Sequence, residues 1–261
     1  MKAQKTSLLS IALLMVAMVS AQAAELASAK VVDVTGTVTK YAPDGQQSAL
    51  QKGDILKEGD SISVTALGEA ELVFSNGSEL TVEENTSVGI AKLQQESFSG
   101  NKSYGQLQAD PSKSQTLLEL NYGKLTGHVK ELREDSQFHV ETPLGTAAIR
   151  GTRWAALLIY NAASEEFVFT VNNFDGEVDM ISGEDVRSIS ESTREAIPAG
   201  QRAVRRVQKG DPAFDDLFSL IENTDPTGPK PVITPAPTPG PSGDVNDDFG
   251  IIVVSPEGTP N

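Results

Sequence analysis

An all-β body with one short C-terminal helix is the fold class that the sequence predicts, on three observations. Apolar and polar residues alternate at period two across most of residues 28–209, the spacing that lays one face of a strand on a core. Turn pairs recur between these runs at short intervals, at Gly53-Asp54, Gly59-Asp60 and Asn76-Gly77. A single clear switch to helical spacing follows residue 209. Short strands and closely spaced turns predict a β-sandwich or a stacked antiparallel hairpin body of solenoid type.

The first 23 residues are expected to stand outside that body. Lys2 and Lys5 precede an apolar run of twelve residues, Leu8 to Val19, broken only by Ser10, and Ala21-Gln22-Ala23 is a small-x-small cleavage site. Twelve helical residues span about 18 Å, short of a hydrocarbon core of about 30 Å. The pattern is that of an export signal with cleavage expected before Ala24, which predicts a periplasmic or secreted protein. The absence of cysteine suits an oxidising compartment and removes both disulfides and lipid anchoring through a thiol.

In the β region, Val32, Val34 and Val38 alternate with Asp33, Thr35 and Thr39. Ile55, Leu56, Ile62 and Val64 form short strands around the two Gly-Asp turns. Ala70, Leu72 and Phe74 lead into Asn76-Gly77, and Leu80 and Val82 follow. Asn-Gly between alternating runs predicts a hairpin, because both residues tolerate positive φ. Phe167, Phe169 and Val171 repeat the pattern, with Asn172 to Gly176 as the expected hairpin turn before Val178 and Met180. Gln94 to Gln115, with Gly100, Gly105 and Pro111, reads as an exposed polar excursion between two halves of the region.

The helix is predicted over 211–223. Asp211 caps it, Pro212 suits its first turn, and Phe214, Leu217, Phe218 and Ile221 form an apolar stripe expected to pack back on the β body. Residues 224–243 form a linker, with seven of the fourteen prolines between Pro226 and Pro241, a composition that favours polyproline II. The tail, 244–261, joins an acidic cluster to Ile251–Val254, a segment expected either to pair as a strand or to lie free.

Little in the chain points to catalysis. His128 and His139 are the only histidines, and no metal-ligand spacing surrounds them. No nucleophile elbow, phosphate-binding glycine loop or H-E-x-x-H stretch is present. Asp244, Asn246 and Asp248 match the first positions of a calcium loop, but Phe249 and Ser255 stand where it needs Gly and Glu. No metal or cofactor is therefore expected. A net charge of −15 argues against nucleic acid as a partner.

The stretch Thr142–Leu158, TPLGTAAIRGTRWAALL, sets Arg150, Gly151, Thr152 and Arg153 inside an apolar run. Pro143 and Gly145 mark a turn, and Gly151 in a strand pattern suggests a bulge or a close backbone approach. The arginines could hold an anion. The structural reading is a clasp, in which the Arg150 fork ties down carbonyls or a carboxylate and Thr152 bonds a neighbouring backbone group.

FHVETPLGTAAIRGTRWAALL resembles the signature of FecR-type domains, with Arg150, Gly151 and Thr152 on the family's Arg-Gly-Thr triplet. The segments GEAELVFSNGSELTVEENTSVGI, LELNYGKLTGHVK, TVNNFDGEVDM and IPAGQRAVR extend the resemblance over about Lys30 to Arg206. It implies an all-β, extracytoplasmic domain without catalytic residues. The family's best-known members are transmembrane anti-sigma regulators that hear an outer-membrane iron-siderophore transporter. Three functions follow. The first is an exported, non-enzymatic module that binds a protein or an envelope glycan. The second is a membrane-anchored envelope-signalling component. The third is a hydrolase built on a carboxylate pair that no motif betrays.

Overall fold

A computed structural model describes residues 27–99, 102–182 and 193–224. The expected export signal, the expected linker from 225 onward and the acidic tail with its calcium-loop positions lie outside the described residues.

Two sheets share one long strand. The first sheet, with strands numbered in chain order, runs Ile55–Leu56 (β4), Ala29–Thr35 (β1), Glu69–Phe74 (β6), Glu79–Val82 (β7), the second half of Ser114–His128 (β9), Arg153–Asn161 (β12), Glu166–Asn173 (β13) and Gln201–Gln208 (β16). The second runs Gln47–Ala49 (β3), Val38–Tyr41 (β2), Ser61–Val64 (β5), Thr86–Gln95 (β8), the first half of β9, Gln137–Thr142 (β10), Gly145–Arg150 (β11), Glu177–Ser182 (β14) and Thr193–Ile197 (β15). Every pairing between these strands is antiparallel except β9 with β10.

The inward faces carry the apolar phase of each strand. Leu72 and Phe74 of β6, Leu80 and Val82 of β7, and Phe167, Phe169 and Val171 of β13 meet Leu118 and Leu120 of β9, Phe138 and Val140 of β10 and Ile149 of β11 in one buried cluster. Phe138 bridges the two sheets, edge-on to Phe74 at 5.6 Å between ring centroids and tilted against Trp154 at 6.1 Å. The architecture is thus a sandwich whose later strands are stacked by arches, so both forms of the sequence expectation are present in one body.

Gly123 makes the sharing of β9 possible. Residues up to Tyr122 pair with β8, and from Gly123 onward the strand pairs with β12 and β7. The chain folds over at this point, since Ser114 and Lys130 both hydrogen-bond to the turn at 76–78. Gly123 has φ +97, and a Cβ there would stand 2.3 Å from the Thr86 hydroxyl and 2.5 Å from Thr86 Cα. Thr86 Oγ1 in turn accepts a hydrogen bond from Lys124 N at 2.9 Å, so the bend is held as well as allowed.

The two Gly-Asp pairs close matching turns. Asp54 accepts from Gln51 N at 2.9 Å, and Asp60 accepts from Lys57 N at 2.8 Å. Asn76-Gly77 joins β6 and β7 as a hairpin, with Asn76 Oδ1 accepting from Ser78 N. The polar excursion differs from expectation. Strands β8 and β9 occupy its ends, and its middle is not wholly exposed. Leu107 and Asp110 are buried, and Asp110 accepts from Ser114 Oγ at 2.7 Å and Gln95 Nε2 at 3.3 Å. Those bonds tie the excursion to its own ends, and Leu107 lies against the hairpin turn, where a Cβ on Gly77 would stand 2.7 Å from Leu107 Cβ.

Helix α1 spans Pro212–Thr224. Asp211 Oδ1 accepts from Ala213 N at 3.0 Å, the bond of a capping residue. Phe214 and Phe218 pack on Tyr160 and Phe167 at centroid separations of 4.9–6.0 Å. The apolar stripe therefore closes the inner face of β12 and β13, with Phe214 and Leu217 buried.

Gly123→Ala is expected to destabilise the protein by more than about 3 kcal/mol, because backbone strain adds to a backbone clash. Gly45→Ala, at φ +84 with nothing within 4 Å, should cost only about 1 kcal/mol. Urea unfolding of the two variants checks the difference.

Candidate functional site: the arch stack around Arg150

Four crossings between the sheets lie side by side at one end of the sandwich. The chain passes from β9 to β10 through residues 129–136, from β11 to β12 through Gly151-Thr152, from β13 to β14 through 174–176, and from β15 to β16 through 198–200. Of the two parts expected of Gly151, a bulge or a close backbone approach, the structure has the approach, by Gly176 to its carbonyl, and Asn172–Gly176 is not the expected hairpin turn. Gly151 is no bulge within a strand, because β11 ends in one sheet and β12 begins in the other. Asn172–Gly176 is no hairpin turn, because β13 pairs with β12 and β16 whereas β14 pairs with β11 and β15. Period-two patterning marks strands but does not say which sheet the next strand joins.

Each crossing must find partners for backbone groups that have left their ladders. Arg150, the last residue of β11, serves the first. Its guanidinium donates to the carbonyl oxygens of Leu132 at 3.2 Å, Arg133 at 3.1 Å, Glu134 at 3.1 Å and Ser136 at 3.4 Å. The negative ends of four carbonyl dipoles thus surround the charge, an arrangement that leaves the fork spent on backbone instead of an anion. Val129 N also donates to Thr152 O at 2.9 Å.

On the other side, Thr152 and Arg153 tie the second crossing to the third. The fully buried Thr152 hydroxyl donates to Asn173 Oδ1 at 2.8 Å and accepts from Asp175 N at 3.3 Å. Asp175 Oδ1 accepts from Arg153 N at 2.7 Å and Oδ2 from Arg153 Nε at 2.8 Å. The Arg153 backbone N–H first, and then its side chain, hold the Asp175 carboxyl below its ordinary value. Asn173, also fully buried, reaches the fourth crossing, with Nδ2 donating to Ile197 O at 2.7 Å and Gly176 O at 3.1 Å. Gly200 N donates back to Asn173 O at 2.8 Å. Gly176, at φ +72, lets the arches touch, since a Cβ there would stand 2.3 Å from Gly151 O.

The Arg-Gly-Thr triplet thus lies at the centre of the stack, with Asn173, Asp175 and Gly176 as partners that the sequence reading placed in the wrong kind of turn. A signal for Asn173 exists in the sequence. It occupies the inward phase set by Phe167, Phe169 and Val171, where a polar side chain must be fully bonded to be tolerated. Phe174, beside it, points outward and is 48% exposed, while its backbone N–H is fixed to Arg153 O at 3.0 Å.

The two histidines are not brought together. His128 is on β9 in the first sheet, its Nδ1 3.1 Å from Lys130 Nζ, and His139 is on β10 in the second. Burial, and then Arg194, lower the His139 pKa. Carboxylates do gather on the outer face of the first sheet, where Asp33 pairs with Glu71 beside Glu69 and Glu83. Partial burial, then Glu71, Glu83 and Asp33, raise the Glu69 pKa. No group of three or more His, Asp or Glu able to hold a metal occurs among the described residues. No helix among them is long and apolar enough to cross a membrane.

Residues 60–179 match the family model described as FecR protein. The chain therefore carries a FecR domain, and the matched segment contains Arg150, Gly151 and Thr152 and ends inside β14. No curated protein matches the sequence. Two crystal structures of a candidate anti-sigma factor from Parabacteroides distasonis ATCC 8503, at 1.65 Å and 2.50 Å resolution, are similar at 13% identity. The alignment covers 57% of this chain and 59% of theirs with a TM-score of 0.34. This chain thus spans less than two thirds of those proteins, and so slight a likeness carries no functional argument.

Arg150→Ala is expected to lower stability by about 3 kcal/mol, since four carbonyls lose a charged donor. Arg150→Lys should recover less than half of that, because a single ammonium cannot replace the planar fork. Thermal unfolding with and without added phosphate checks both, and the losses should not depend on the anion. Asp175, with its folded pKa depressed, contributes stability that is complete above the unfolded value and is lost as pH falls through the folded one. Between about pH 5 and about pH 2 the wild type should therefore lose more stability than Asp175→Asn, as read by urea midpoints across that range.

Proposed function

We propose, from the FecR domain this chain carries, that it is a non-catalytic envelope-signalling module that works outside the cytoplasm through contact with a protein partner. The family match supports the signalling reading, because the resemblance points to regulators that listen to another envelope protein. The sequence alone put a general binding module first; the match moves signalling ahead of it. The export pattern at residues 1–23 supports action beyond the inner membrane.

One observation carries the choice of contact surface. Among the described residues, Phe174 is the one aromatic side chain among the exposed large apolar residues, beside Ile55, Leu67 and Val204. It stands on an arch whose backbone is fixed on both sides by Asp175, Asn173 and Arg153. A rigid, exposed aromatic on a loop of a stiff scaffold is the form of an interface anchor, because little entropy is lost when it is buried. Arg153, with its side chain 66% exposed, lies next to it and supplies a polar rim.

Phe174→Ala should leave the unfolding midpoint within about 0.5 kcal/mol of wild type. Cells that produce it should show the same transcriptional change as cells lacking the protein. A transcript profile that matches wild type in the deletion strain would overturn the signalling reading. A profile altered by the deletion but not by Phe174→Ala would move the contact elsewhere on the domain.

A further inference from the structure

The outward face of the first sheet is cationic at one side and anionic at the other. One row of side chains crosses six strands through successive pairings: Arg202 on β16, Asn172 on β13, Ala155 on β12, Thr126 on β9, Thr81 on β7 and Glu71 on β6. Arg206 stands near the cationic end on β16, and Glu69 beside the anionic end on β6. All four charged residues are exposed. Arg202, Glu69 and Glu71 form no ion pair among the described residues, and Arg206 lies 3.7 Å from Glu166. The middle of the face carries no net charge, because Lys124 pairs with Glu83 at 2.9 Å. Leu157 of β12 and Val168 of β13 are partly exposed there, next to Val204 at 38%. Partial burial, then the charges of Glu71, Glu83 and Asp33, raise the Glu69 pKa, so the anionic side gains from an added cation.

We infer that this face is a contact between two copies of the chain, stacked face to face about a two-fold axis that runs along the strands between β9 and β12. These are the middle pair of the six strands. The axis lays β12 on β9 of the second copy, β13 on its β7 and β16 on its β6. Levels along the strands are kept, so Arg202 of each copy meets Glu71 of the other, with Arg206 nearest Glu69. The symmetry makes each contact twice. Moving the axis onto β12 would set Arg202 over Thr81, and moving it onto β9 would set Arg202 over Asp33, which Lys52 already pairs. Charge therefore selects the register.

Asn172 supplies a separate sign. It is buried, and its Nδ2 has no acceptor among the described residues. The same two-fold brings the Thr81 hydroxyl of the second copy over it, an acceptor of the kind a buried amide needs. The size also fits. Six strands at about 4.8 Å spacing and about 20 Å length present roughly 600 Å² in projection, close to the accessible surface, about 800 Å², that each partner buries in a standard interface. A foreign partner would need matching acidic and basic sides, whereas a second copy supplies both by symmetry. The net charge of −15 opposes association, but beyond about 8 Å it is screened at physiological salt. This contact is independent of the signalling reading.

Sedimentation of the full chain at about 0.15 M salt, up to about 100 μM protein, measures the association. The wild type should show a concentration-dependent monomer–dimer equilibrium. Arg202→Glu or Glu71→Arg alone should weaken the dimer by about tenfold or more, because each sets like charges together twice. The two exchanges combined should return the affinity to within about threefold of wild type, since the swapped charges meet again across the same axis. That recovery distinguishes a contact from damage to the fold. Monomer at every concentration, or a dimer that neither exchange weakens, would overturn the inference. Single losses that the combined exchange does not recover would overturn it as well.

Discussion

Every strand that leaves one sheet of this protein for the other must carry its backbone through a gap where no ladder can satisfy it. That constraint organises the arch end of the sandwich. A buried N–H or C=O without a partner costs about 1–3 kcal/mol, and the four crossings expose many such groups at once. The chain meets the demand with a few side chains of high bonding capacity. Arg150 covers four carbonyls, Asn173 connects three crossings, and Asp175 holds both the backbone and the side chain of Arg153. The apolar core could not place these strands alone, because hydrophobic burial is indifferent to which sheet a strand joins.

A smaller set of close approaches works with those bonds. Gly176 lets two arches meet at a distance that a Cβ would forbid, and Gly123 does the same where β9 folds against Thr86. At both places the glycine removes a side chain so that a neighbouring hydroxyl, on Thr152 or Thr86, can reach backbone or amide partners. The arrangement explains why arginine, glycine and threonine stand in succession at 150–152. Arginine serves one neighbouring arch, glycine provides the turn at φ +56, and threonine serves the other neighbour.

Much of the fold was legible in the sequence, because short-range physics sets strands and tight turns. The alternation of Ala70, Leu72 and Phe74, the hairpin at Asn76-Gly77 and the capped helix after Asp211 all follow from rules that act within a few residues. The path between sheets was not legible. Asn172–Gly176 has the composition of a hairpin turn, and only the partners of β13 and β14 reveal it as a crossing. The clasp chemistry of Arg150 could be expected from its five donors, but its acceptors at 132–136 and the node at Asn173 lie beyond what spacing encodes. Leu107 and Asp110 show the same limit, being apolar and acidic residues in a polar stretch that tertiary contacts bury.

The single strand β9 belongs to both sheets, and this has a mechanical meaning. A load applied at the outer strands of either sheet passes through hydrogen-bonded ladders to the same stretch of backbone, on one side or the other of Gly123. Separate sliding of the sheets would have to shear that bend, where the Thr86 hydroxyl bonds both the N–H and the carbonyl of Lys124. The body is thus built to move as one stiff lever. Whatever touches the arch end is carried to the far end by displacement of the whole domain, with little internal rearrangement.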